Sequence, residues 1–228
     1  MNAYLQTTVV ENSPPNDLTV VMLHGHAMSP QDLLPFAHSL GVSGRFVVPK
    51  GPIDLPSGGH SWWPIDEERR SRSLAVGPRD LADEHPFGRD VACSMLETML
   101  QDLERRQGDL GRVVLLGFSQ GGMLACEYAL RVPRPIEGLV LLSTSRLAFD
   151  EWKPQLSSGV RALPVLIAHG RDDDDLAFEA GEALRDALTN GGADVDWLPF
   201  DGGHEIPLPV WRRVRKFLTT LRQAEVGF

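Results

Sequence analysis

The stretch Arg112-Val-Val-Leu-Leu-Gly-Phe-Ser-Gln-Gly121 decides how the rest of the chain is understood. Arg112 to Leu116 is a short, β-branched, apolar run, the pattern of a buried strand. Gln120 to Leu130 reads as a helix. Between them Gly117-Phe-Ser119-Gln-Gly121 fits G-x-S-x-G. A strand that passes straight into a helix makes a sharp corner and lifts the middle serine above the sheet edge. The flanking glycines allow that corner without a Cβ clash. The start of the new helix presents free N–H groups toward developing negative charge. Ser119 is therefore expected to be a nucleophile rather than a structural serine in a βα turn.

The alternation continues on both sides. Leu18–Leu23, Arg45–Val48, Gly138–Leu142 and Pro164–Ala168 read as strands, apolar on both faces, as a sheet covered by helices requires. Ala193–Leu198 alternates and suits an edge, and Tyr4–Val10 adds a strand at the start. Helices are expected at Ser29–Leu40, Phe87–Gln107, Leu176–Leu188 and Val210–Leu221. Ser29-Pro30 supplies a cap and a first-turn proline. Val91, Met95, Leu96, Met99, Leu100 and Leu103 keep a 3.6 period. Strand then helix, repeated, predicts an α/β fold with a mostly parallel sheet and helices on both faces. No composition break divides residues 1–228, so one domain is expected.

One stretch interrupts the pattern. Pro49 to Pro86 has little periodicity, two adjacent tryptophans and the charged block Asp66-Glu-Glu-Arg-Arg70. A loop this long in a compact domain is usually functional or disordered, and the alternative to a binding role is a solvated surface insertion. Exposed indoles are costly unless they face a ligand, so Trp62 and Trp63 point to a wall or lid of a binding cleft.

Composition narrows the function. The chain has 228 residues, 42% hydrophobic and 23% charged, with a formal net charge of −9. That acidic excess repels phosphate backbones, so nucleic acid is not an expected partner. The longest apolar runs are far short of the roughly 20 residues that span a bilayer. Met1–Asp17 lacks a basic n-region and an apolar h-region. Cys93 and Cys126, without a CxxC pair, read as reduced, half-buried thiols. A cytoplasmic protein without cofactor or metal is expected.

A serine hydroxyl needs a base, and the base needs an orienting acid. In hydrolases of this chain order the acid precedes the histidine. Only His169 and His204 follow Ser119. His169 ends an apolar strand and reads as packed. His204, in Asp201-Gly-Gly-His-Glu-Ile206, sits in a turn that can hold an imidazole over the sheet edge. The acid belongs in His169-Gly-Arg-Asp-Asp-Asp-Asp175, where four consecutive carboxylates leave the choice open. One should face His204 while the others are solvated. Metal ligation is the weaker alternative, because adjacent residues point in different directions and no Asp-x-Asp-x-Asp-Gly loop is present. Leu23-His-Gly25-His26 places a backbone N–H beside the nucleophile, and Gln120 supplies a second.

These motifs, in order, resemble a known family. Leu23-His-Gly-His-Ala-Met-Ser-Pro-Gln-Asp-Leu-Leu-Pro-Phe36, Pro49-Lys-Gly-Pro52, Ser61-Trp-Trp63, Gly117-Phe-Ser-Gln-Gly-Gly122, His169-Gly-Arg-Asp-Asp173 and Gly203-His-Glu-Ile206 are similar to the phospholipase/carboxylesterase family of α/β-hydrolases. The resemblance implies an α/β-hydrolase fold and a serine carboxylesterase acting on short to medium acyl esters. It also implies Ser119 as nucleophile, His204 as base, Asp173 as acid, and oxyanion donors at His26 and Gln120. The family's aromatic wall maps to Trp62, and Trp63, Met28 and Met123 are expected to line the acyl site with it. Asp174-Asp175-Leu176-Ala177 departs from the Pro-Val-Val-Pro that often follows the acid, which keeps Asp172 as the alternative. A small-molecule ester is the expected partner, and the protein is a monomer or homodimer. Acyl-protein thioesterase, lysophospholipase and a silent binding protein remain the other readings.

Overall fold

The computed structural model describes residues 5–12 and 17–223, so Tyr4, the start of the first expected strand, lies outside the described residues. Seven strands form the main sheet: β1 (Thr7–Asn12), β2 (Leu18–Leu23), β3 (Gly44–Pro49), β6 (Arg112–Phe118), β7 (Gly138–Leu142), β8 (Pro164–Gly170) and β9 (Asp194–Phe200). Their spatial order is β1-β3-β2-β6-β7-β8-β9. Only β1 runs antiparallel, on β3, and β9 closes the opposite edge as its alternating pattern predicts.

Helices α1 (Pro30–Ser39), α3 (Arg89–Gln107), α4 (Gln120–Arg131), α7 (Phe178–Asn190) and α8 (Leu208–Gln223) connect and cover the strands. Alternate residues of each strand go to opposite faces. Val21, Leu23, Val113 and Leu115 pack with Leu96 and Leu100 of α3 and Leu124 of α4. Val20, Met22, Val114 and Leu116 pack with Leu33 of α1 and Val214 and Leu218 of α8. Both faces are dry, which is why these strands read as unbroken apolar runs. Cys93 and Cys126 are free and fully buried rather than half-buried, and burial pushes the Cys93 thiol up to about 12.

The chain leaves β2 toward β3 on one side and later enters β6 on the other. The strand order therefore reverses between β2 and β6. In open α/β sheets a crevice opens at such a switch point, beyond the C-terminal ends of the strands. Leu23 lies beside Gly117 in this pair, so the residues that follow each strand meet there.

The 49–86 stretch is more ordered than its composition suggests. A small hairpin, β4 (Ile53–Asp54) with β5 (His60–Ser61), is followed by helix α2 (Glu67–Leu74), capped by Asp66, whose carboxylate accepts the Arg69 N–H at 2.9 Å. Hydrophobic periodicity misses α2 because none of its side chains is buried. After β7 the chain makes α5 (Phe149–Trp152), a 3-10 turn (Lys153–Gln155) and α6 (Leu156–Gly159), too short to leave a periodic trace. Among the described residues no helix is long and apolar enough to cross a membrane.

Candidate active site

Ser119 occupies the corner between β6 and α4 with φ 52° and ψ −118°. A non-glycine residue held there stores roughly 1–3 kcal/mol of strain and persists only if its surroundings over-determine it. They do. The Ser119 N–H donates to Leu142 O at 2.9 Å, locking the corner to β7. Ser119 O accepts from the N–H groups of Gly122 and Met123 at 2.9 and 3.1 Å. A methyl on Gly121 would run into the Leu23 carbonyl, so β2 and the new helix can approach only over a glycine.

The turn after β8 carries the acid run. Asp173 is buried, whereas Asp172 is exposed. Asp173 Oδ2 accepts from His204 Nδ1 at 2.8 Å, and its Oδ1 accepts the N–H groups of Asp175 and Leu176, both at 2.9 Å. The carboxylate is thus satisfied on both oxygens, and His204 is fixed with its proton on Nδ1 and its lone pair on Nε2. The His204 ring packs on Phe118, the neighbour of Ser119, with centroids 4.8 Å apart.

His169 is fully buried beside this pair. Its Nε2 donates to Leu176 O at 3.0 Å, so it braces the acid turn from beneath. Burial holds its pKa below the ordinary value. The remaining carboxylates of the run do not share one environment. Contrary to the expectation that the others are solvated, Asp175 is half-buried and ion-paired to both Arg70 and Arg79.

Beyond β2, His24 is buried with its pKa pushed down to about 4, chiefly by desolvation. Its Nε2 accepts the Gly51 N–H at 2.9 Å, and its ring stacks on Trp62 at 4.9 Å. His26 points the other way. Its Nε2 meets Glu67 of α2 at 2.5 Å and its Nδ1 lies 3.2 Å from Ser61 Oγ. The Gln120 side chain grips the same segment. Its Oε1 accepts the Trp62 N–H at 3.0 Å, and its Nε2 donates to Trp63 O at 3.2 Å. Gln120 opens α4, so its own backbone N–H has no intrahelical acceptor.

A cleft of about 670 Å³ opens over Ser119, within the range of small-molecule sites. His26, Trp63, Gln120 and Met123 line it, as do Leu81 and Leu176. Trp62 and Met28 do not. Trp62 is 1% exposed and donates Nε1–H to His24 O at 2.8 Å, so it supports the floor instead of forming a wall. Met28 packs into the opposite hydrophobic layer. Contrary to the expectation of exposed indoles, both rings are buried, with the Trp62 N–H satisfied by a backbone carbonyl. Arg70 and Arg79, to which the sequence assigned no role at the site, line the cleft as well. Their signal was present: arginines in the 49–86 stretch, and an acid run with more carboxylates than a triad uses. Among the described residues no group of three His, Cys, Asp or Glu could hold a metal ion.

Residues 5–222 match a protein family described as phospholipase/carboxylesterase. An acyl-protein thioesterase 1 of Cryptococcus neoformans is 30% identical over 185 residues, covering 75% of this chain and 72% of that protein. A probable carboxylesterase SOBER1-like protein of Arabidopsis thaliana is 32% identical over 102 residues, 41% of this chain and 36% of the relative, so only about a third of that relative is spanned. Among solved structures, the crystal structure of esterase PE8 superposes with a TM-score of 0.80 at 27% identity, covering 96% of this chain and 99% of the other.

Proposed function

The chain belongs to the phospholipase/carboxylesterase family of α/β-hydrolases, and from that premise we propose that it is a serine carboxylesterase for esters of short to medium acyl chain. The observation that carries this reading is the 2.8 Å bond from His204 Nδ1 to the buried Asp173, with the ring packed beside the strained Ser119 corner. In the proposed reaction Ser119 Oγ attacks the acyl carbonyl and its proton passes to His204 Nε2. The oxyanion is met by the backbone N–H groups of His26 and Gln120. His204 returns the proton to the departing alcohol. A water then attacks the acyl-enzyme, giving its proton to His204, and the carboxylic acid leaves as Ser119 recovers its hydrogen. Asp173 holds the Nδ1–H tautomer and stabilises the imidazolium. Trp63, Met123, Leu81 and Leu176 would receive the acyl chain.

The likeness to an acyl-protein thioesterase favours one second reading, an S-acyl substrate at the same site. Hydrolysis of p-nitrophenyl butyrate by the purified protein, beside an S-acyl peptide of the same chain length, tests both. The ester is expected to turn over faster, and Ser119→Ala is expected to lose activity by about 10⁴-fold or more. An Ser119→Ala protein that remains folded and active would overturn the reading. A faster S-acyl peptide would replace ester with thioester.

A further inference from the structure

The wall of the cleft poses a physical problem. Helix α2 is eight residues long and buries no side chain. A helix that short has no stability of its own in water, and α2 has no apolar face to hold it against the core. Its position must come from polar contacts. These are His26–Glu67 at 2.5 Å, Arg69–Glu84 at 2.5 Å and Arg70–Asp175. Glu67 and Glu84 are 55% and 37% exposed, and pairs of that kind contribute little. Asp175 is 16% exposed and takes two guanidinium groups. Burial pushes its carboxyl up, but Arg79 and Arg70 together pull it below the ordinary range.

The same residue faces inward as well. The Arg79 N–H donates to Asp175 O, and the Ala177 N–H donates to Arg79 O, both at 2.9 Å. On the other side the Asp175 N–H donates to Asp173 Oδ1. One turn, residues 173–177, therefore holds the buried acid with its backbone and the cleft wall with its side chain.

We propose that Asp175 is a specificity-determining positioning residue: by pairing with Arg70 as well as Arg79 it fixes α2 against the 78–80 strap, which backbone bonds tie to the same turn, and so sets the wall that meets a longer acyl chain. This rests on the esterase reading of the same site. Short acyl groups end before that wall, so their turnover depends little on it, whereas longer ones need it in place.

The test compares p-nitrophenyl acetate with p-nitrophenyl decanoate for the wild type, Asp175→Asn and the double variant Arg70→Gln/Arg79→Gln, each checked for folding by circular dichroism. In both variants the KM for decanoate should rise about fivefold or more relative to that for acetate, the size expected for loss of one partly buried charge contact. An unchanged decanoate-to-acetate ratio in folded variants overturns the inference. So does an equal fall in kcat for both esters, which would confine the role of Asp175 to Asp173. Limited trypsin cleavage at Arg69 to Arg72 needs no substrate. It should be about fivefold faster in Asp175→Asn, and an unchanged rate overturns the clamp. Turnover of acetate by the wild type judges the esterase reading separately from the ratio.

Discussion

The Ser119 corner and helix α2 face each other across one cleft, yet opposite forces hold them. Residues 120–130 of α4 are all buried, and the corner is locked to β7 and beneath β2 by backbone contacts. Helix α2 buries nothing and depends on ion pairs. Chemistry needs atoms fixed to within about half an ångström, which apolar packing on a rigid sheet provides. In the proposed reading the far wall only has to exclude or admit an acyl chain, so it can rest on charges that single substitutions weaken while the proposed reacting groups stay undisturbed.

That contrast can be broken first at the rigid side. Asp173→Asn should lower kcat by about 10⁴-fold, because the amide favours the wrong histidine tautomer. Asp172→Asn, at the exposed neighbour, should leave kcat within about twofold; steady-state kinetics of the two variants separates them. A smaller effect is expected from Leu115→Ala, in the strand that leads to the corner and fully buried. It should cost about 2–5 kcal/mol in urea unfolding with KM little changed in the folded fraction.

Acid weakens the rigid side. His24, buried under the Trp62 floor, has a folded pKa of about 4 against 6.5 when free. The unfolded chain therefore binds more protons than the folded one between those values, and stability falls as pH drops. Between pH 7 and 5 this group alone should remove about 2 kcal/mol. The depressed pKa of His169 acts in the same direction. Urea midpoints at the two pH values check this, and a stability that is flat or rising toward pH 5 would contradict it. The smallest effect belongs to the soft side. Glu67→Gln should change unfolding stability by less than about 1 kcal/mol, since the Glu67 side of its pair with His26 is 55% exposed.

The same division governs what the sequence reveals. Leu18–Leu23 and Gly138–Leu142 are strands with the ends expected of them, because burial on both faces leaves an uninterrupted apolar run. The Ser119 corner is equally legible, since a strand, two close-approach glycines and a helix must be adjacent in the chain. Asp173 is not separable from Asp172 by composition. The choice depends on which carboxylate the turn buries, and that is set by N–H groups of Asp175 and Leu176. The wall is the least legible part. Ion pairs such as Arg79–Asp175 join residues far apart in sequence and leave no periodicity. Adjacent tryptophans look exposed until the His24 carbonyl that satisfies Trp62 is in view.

In the proposed reaction Ser119 is the nucleophile. The most direct test of that role is labelling of the wild-type protein with a serine-directed fluorophosphonate, followed by peptide mass mapping. A single adduct on Ser119, lost in His204→Ala and slowed in Asp173→Asn, is the predicted result. A folded protein that takes no adduct, or takes it on another serine, would contradict the account.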